Sequence, residues 1–189
     1  SAPARVCSRI QSVPTVLLSE CLPATPRTRL LRLTLPDGDF VFQAGQAVMA
    51  GLAESATRSA YSIASPPSLA ARRILELLVP ADGAFGDAGL DPATVVGRAL
   101  TIEGPIGGFG VPAEAEGAPL LLVGGGTGIA PLRSVALDRL DRASAAPMVL
   151  LYSARTADEF AFGGEFAALD RGGRLRVHQT VTRDGRTTE

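Results

Sequence analysis

Three short segments of this sequence carry residue types that could do chemistry. The first is Gly124-Gly125-Gly126-Thr127-Gly128-Ile129-Ala130-Pro131, which follows an apolar run and precedes a helical pattern. Glycines at such a junction let backbone amides come close to a ligand. The positive end of the helix dipole that opens there favours an anion such as a pyrophosphate. Pro131 suits the first helical turn, and the Thr127 hydroxyl adds one hydrogen-bonding group. Ile129 stands where the last glycine of G-x-G-x-x-G would be, and no Gly-Lys-Ser/Thr follows as in a P-loop. A ligand-free tight turn is the competing reading, but four glycines in the five residues 124–128 are costly in chain entropy. The loop therefore reads as a site for a phosphate-containing ligand.

The second segment, Arg58-Ser59-Ala60-Tyr61-Ser62-Ile63-Ala64-Ser65, puts a cation, an aromatic ring and hydroxyls on one extended stretch. An arginine fork suits a pyrophosphate, a tyrosine offers a flat face to a ring system, and a serine is a small donor. Residue types alone leave a plain polar strand as the alternative. The third segment is Tyr152-Ser153-Ala154-Arg155, at the end of a second apolar run. If that run is a parallel strand, Ser153 and Arg155 sit at its carboxyl end, where ligands are met, and could contact an adenosine ribose or its 2′-phosphate. A solvated surface arginine reads equally well at 155.

The rest of the composition narrows the chemistry. All 18 basic residues are arginine, so a Schiff-base lysine and a P-loop lysine are excluded. His178 is the single histidine and reads as structural or exposed. Cys7 and Cys21 lack C-x-x-C spacing and cannot alone hold an iron–sulfur cluster. A formal net charge of -1 argues against a nucleic-acid surface. Apolar runs fall far short of the about 20 residues of a membrane span, and the N-terminus has no signal-peptide core, so a cytoplasmic protein is expected.

Two styles of sequence must position these segments. Up to Pro112 the chain reads as short strands with turn punctuation. The expected strands are 29–35, one beginning at Phe40-Val41-Phe42, then 48–52, 59–63, 74–79 and 99–102, as in an antiparallel barrel or sandwich. After the polar stretch 113–117, the run 119–123 reads as a strand buried on both faces. A helix over 131–142, a strand over 148–152, a helix over 158–169 and a strand over 175–181 follow. Alternation of this kind makes a parallel α/β sheet. The expected domains are thus 1–112 and 113–189.

The three segments together resemble the ferredoxin–NADP reductase superfamily. Arg58-Ser59-Ala60-Tyr61-Ser62 is similar to its Arg-x-Tyr-Ser flavin motif, and the glycine loop to its nicotinamide-dinucleotide loop. Gly104-Pro105-Ile106-Gly107, Leu151-Tyr152-Ser153-Ala154-Arg155 and Thr180-Val181-Thr182-Arg183 also look like family segments, in family order. The resemblance implies a flavin-binding barrel followed by a nucleotide-binding α/β domain. It implies that Arg58 holds the flavin phosphate, that Tyr61 packs against the isoalloxazine, and that Ser62 lies near the redox-active nitrogen as the catalytic residue. Gly83-Ala84-Phe85-Gly86 aligns with the second flavin segment, and Thr127 would lie near both rings. FAD is the expected flavin, with FMN as the alternative because Gly86 replaces a serine or threonine common in relatives. NAD(P)H is the expected co-substrate. Arg155 and Arg183, with no acidic residue closing the 148–152 run, lean towards NADP.

Two departures accompany the resemblance. The family's Cys-Gly motif near the nicotinamide and its terminal aromatic are not found before Glu189, so the second domain is expected to be truncated. The expected function is hydride transfer from NAD(P)H to bound FAD, with electrons passing on to a protein or small-molecule acceptor. Non-catalytic alternatives are a flavin-carrying electron-transfer subunit of a larger complex, or a module that keeps the fold without turnover.

Overall fold

The computed structural model describes residues 11–38, 40–82 and 92–183, with the backbone alone at 11–14, 92 and 93. Its first half is a six-stranded antiparallel sheet made of β1 (Gln11–Thr25), β2 (Thr28–Thr34), β3 (Ala47–Leu52), β4 (Ser59–Ser62), β5 (Ile74–Pro80) and β6 (Ala99–Ile106). The strand order is β4-β3-β6-β1-β2-β5. Ile63, just past β4, bridges to Leu77 of β5, and Ala64 donates to the Glu76 carbonyl at 2.8 Å. The two ends of the sheet thereby meet and close a barrel. Alternation fills it: Leu31 and Leu33 of β2, Leu75 and Leu77 of β5, Val48 of β3 and Ile102 of β6 are all fully buried. Single helical turns α1 (Pro67–Ala70) and α2 (Pro92–Val95) lie in the connections.

One strand lies outside those expected and one expected strand is missing, each for an identifiable reason. The 15-residue β1 carries Pro14 and Pro23, which mark a stretch against strand formation. Both prolines sit where the pairing register shifts, between Val13 and Val16 and between Pro23 and Thr25, where a missing N–H breaks no regular ladder. Phe40-Val41-Phe42 conversely begins no strand. Phe40 and Phe42 are buried from an irregular segment, their ring centroids 6.0 Å apart, so burial was gained without a ladder.

The second half is a parallel sheet, β7 (Leu120–Gly125), β8 (Met148–Ala154) and β9 (Arg176–Val181), in sequential order. Between them run α3 (Ile129–Asp141) and α4 (Gly163–Arg171). Stepping through the sheet in one direction with right-handed crossovers places both helices on the same face. Leu122 and Leu150 are buried in one cluster with Ile129, Leu132, Val135 and Phe166. The opposite face stays open: Leu121 is 61% exposed and Val123 65%. The expectation that this strand is buried on both faces is therefore corrected, because among the described residues no element covers its second face.

The helix expected over 158–169 is also divided. A 3₁₀ turn at Ala157–Glu159 is followed by Phe162 at φ +60, and α4 starts only at Gly163. The Ala161 N–H donates to the buried Tyr152 hydroxyl at 3.0 Å, which holds the chain out of helix at that point. No helix among the described residues is long and apolar enough to cross a membrane.

Candidate functional site

At the carboxyl end of β7 the chain passes through a 3₁₀ turn, Gly126–Gly128, into α3. The glycines there have different causes. A Cβ on Gly124 would meet Leu132 Cδ1 at 2.5 Å, and one on Gly125 the Ser153 carbonyl at 3.2 Å, so these two are small because their own chain crowds them. Gly126 has φ +53, a conformation that favours glycine. At Gly126 and Gly128 an added Cβ would meet nothing within 4 Å, and this is the open side of the loop, above the amino end of α3.

That open side borders a cavity of about 560 Å³, a size that holds cofactors. Gly125, Gly126 and Thr127 line it from the loop, and Ser153 and Arg155 from the end of β8. The structure thus brings together five residues that the sequence suggested. Among the lining residues that the sequence did not suggest are three charged ones: Arg27, in the turn between β1 and β2, Asp82, just past β5, and Glu159, in the turn after β8. Arg27 Nε lies 2.8 Å from Glu159 Oε1, an ion pair across the cleft between residues 132 apart in the chain. No local pattern signals a pairing of that separation. Arg183 is exposed and outside this lining, its backbone N–H held by the Arg155 carbonyl at 2.8 Å, while Thr182 takes the lining position.

The flavin-motif residues lie on and before β4. One extra residue stands between the arginine and the tyrosine relative to Arg-x-Tyr-Ser, so in extended chain Arg58 and Tyr61 project to opposite faces. Tyr61 is only 8% exposed and belongs to the barrel core, whereas Ala60 is exposed and Arg58 and Ser62 are half-buried. The Arg58 guanidinium bonds to the Ser55 and Thr57 carbonyls and lies over the bare backbone of Gly51, where a Cβ would meet its Nη1 at 3.2 Å. Arg58 Nε is buried without a hydrogen-bond partner. A cation with an unmet donor, beside an exposed alanine and a serine hydroxyl, suits the phosphate and ring edge of a flavin. Gly83, Ala84, Phe85 and Gly86 lie outside the described residues.

Acid–base machinery is sparse. His178 is exposed on β9, and no cluster of three or more His, Cys, Asp or Glu side chains exists among the described residues. Burial pushes the Tyr152 phenol up to about 12, so it stays neutral at working pH. Its ring packs edge-on against Phe160 and Phe166 in the helix-covered cluster.

Residues 122–189 match the family model for the oxidoreductase NAD-binding domain. The chain is 35% identical over 169 residues to ferredoxin–NADP reductase B of Sorangium cellulosum, an alignment covering 86% of this chain and 67% of that protein. The chain belongs to the ferredoxin–NADP reductase superfamily. Other relatives in the superfamily are reductase components of larger systems. The aromatic O-demethylase reductase subunit of Amycolatopsis is 33% identical over 76% of this chain and 42% of its own length. The crystal structure of the Amycolatopsis cytochrome P450 reductase GcoB superposes with a TM-score of 0.82 at 29% identity, covering 97% of this chain and 56% of that one. A ferredoxin NADP+ reductase from Neisseria gonorrhoeae with bound FAD and NADP, at 21% identity and a TM-score of 0.71, shares the fold. The chain spans about two fifths to two thirds of the length of these two sequence relatives. The two-domain order of barrel and α/β sheet follows the superfamily's.

Proposed function

We propose that this chain binds FAD on its barrel and NAD(P)H at its parallel sheet, as the flavin- and dinucleotide-binding part of an oxidoreductase. Hydride passes from NAD(P)H to FAD, and electrons then leave for a protein or small-molecule acceptor. The observation that carries the proposal is the cleft itself. An open glycine turn, a helix amino end and two arginines, Arg27 and Arg155, converge at the carboxyl ends of parallel strands and face the barrel. Ser153 and Arg155 serve the adenosine ribose or its 2′-phosphate, and Gly126 and Thr127 the pyrophosphate and nicotinamide side.

On the barrel, Arg58 serves the flavin phosphate through its unmet Nε donor, and Ser62 stands near the redox-active edge of the ring. Ser59 and Ala60 form the open rail between them. Tyr61, 8% exposed, lies mostly in the barrel core. The flavin supplies two-electron chemistry when bound; the side chains bind, orient and exclude water. The relatives named as reductase components of multi-component systems support an electron acceptor that is a separate protein or domain. The residues present fit FAD, and the direct test is the flavin itself. Protein purified after flavin reconstitution should hold one FAD per chain, identified chromatographically after release. Retention of FMN but no FAD, or of neither, would contradict the assignment.

A further inference from the structure

A chain of buried charges joins the two halves of the molecule. Arg133, on the second turn of α3, is 8% exposed, and Glu76, on β5 of the barrel, 3%. Arg133 Nη1 donates to Glu76 Oε2 at 2.8 Å and to the Ala64 carbonyl at 2.8 Å. Its Nε and Nη2 grip both oxygens of Glu165, on α4, at 2.6 and 3.2 Å, and the Phe162 ring lies 4.4 Å from the guanidinium carbon. The other Glu76 oxygen takes two bonds from Arg32 on β2, at 2.9 and 3.2 Å, and Arg32 reaches on to Glu20 at 2.6 Å. Next to Arg133, the Ser134 hydroxyl donates to the Ser65 carbonyl at 2.7 Å. Burial works against the Arg133 charge, yet Glu165 and Glu76 outweigh it and leave its pKa above the ordinary arginine value.

The location of these bonds matters more than their number. Ala64 and Ser65 are the two residues that follow the flavin strand by one step, past Ser62 and Ile63. Arg133 and Ser134 follow the glycine turn by little more than one helical turn. Through them the backbone beside Ser62 is tied to the helix that carries Gly126 and Thr127. An apolar contact would join the halves at less desolvation cost, since a buried ion pair is often no more stabilising than well-packed hydrophobic residues. What the ionic contact adds is direction: a guanidinium fork accepts its partners in one geometry only. Apolar residues Ala64 and Leu78 already bury against the α3 cluster, so adhesion does not depend on the charges.

We infer that Arg133 is a positioning residue that, with Glu76 as its barrel anchor, fixes the register between the flavin strand and the dinucleotide turn. The inference rests on the flavin and NAD(P)H reading above. Hydride transfer is steep in distance and orientation, so a small loss of register lowers the rate while leaving either ligand's own contacts intact.

The test uses the full flavin-loaded protein and the double variant Arg133→Met/Glu76→Leu, which replaces the ion pair with an apolar pair of similar volume. Arg32 keeps Glu20, and the half-exposed Glu165 keeps solvent. Expected are a melting temperature within a few degrees of the parent and an NAD(P)H Kd within threefold. Anaerobic flavin reduction should fall at least tenfold, and the distance distribution between spin labels on α1 and α4 should broaden. A variant with parental reduction rate and parental label distances would overturn the inference. Should the double variant not fold, Glu165→Gln, at the 34% exposed end of the network, should give the same signature more weakly. If the parent protein shows no reduction by NAD(P)H, the functional reading fails first. The label distances then decide the positioning role on their own, unchanged distances refuting it.

Discussion

A guanidinium moved one position along an extended strand changes face. Arg58 is therefore set differently from the tyrosine that follows it, lying over Gly51 with one buried donor unmet. Replacement by glutamine keeps the stem and removes a charge-assisted contact to phosphate, about 1.5–3 kcal/mol, or about ten- to a hundredfold in affinity. Arg58→Gln should thus raise the FAD Kd at least tenfold, read by fluorescence titration, with an unchanged circular dichroism spectrum. At the dinucleotide cleft Arg27 is held by Glu159 across an exposed opening. A 2′-phosphate would compete for that arginine. Arg27→Gln should accordingly lower the NADPH-to-NADH affinity ratio severalfold by isothermal titration, and an unchanged ratio would assign the phosphate to Arg155 alone. No acid lies within the 148–152 run, which leans towards NADP, but Glu159, seven residues past its end, and Asp82 line the same cleft.

The turn between β8 and α4 depends on one buried hydroxyl. The Tyr152 phenol, raised to about 12, accepts the Ala161 N–H. An unfolded tyrosine ionises near 10, so its contribution is fully present below about pH 10 and is lost as pH rises towards about 12. Urea unfolding between pH 9 and 11.5 should show stability falling over that window, by on the order of 2 kcal/mol. Tyr152→Phe should flatten that fall while lowering neutral-pH stability by only about 0.5–1.5 kcal/mol, because the Ala161 N–H keeps the Glu159 carbonyl at 3.1 Å as a second acceptor. This element also shows what a sequence can and cannot convey. Phe162 and Phe166, four residues apart, do meet, with ring centroids at 6.4 Å. The same spacing concealed the left-handed Phe162 that stops the helix from running back to Asp158. The near-alternating β2 and the apolar run of β5 were legible from their residues. β1 was hidden by prolines that only the register shifts excuse. The glycine turn was legible, but not the packing cause of Gly124 and Gly125, which lies in Leu132 and Ser153.

At the scale of the molecule, two surfaces of the parallel sheet differ. One is covered by α3 and α4; the other exposes Leu121, Val123 and Leu151. For the 189-residue chain alone, Leu121→Glu/Val123→Glu should reduce self-association and binding of an apolar dye without lowering the melting temperature. In any longer protein whose further chain covers that face, the same pair should destabilise instead, a difference that calorimetry reads directly. The barrel and the sheet are joined by the buried Arg133–Glu76 ion pair and by the Ser134 to Ser65 bond, which tie the strand proposed to hold the flavin to the helix behind the glycine turn. Anaerobic mixing with NADPH and, separately, NADH tests whether the two sites work together. If the proposal holds, the oxidised flavin absorbance of FAD-loaded protein bleaches with at least one of them, at a rate that saturates with nucleotide concentration. Protein that holds FAD and binds the nucleotide yet keeps its flavin absorbance with both would contradict it.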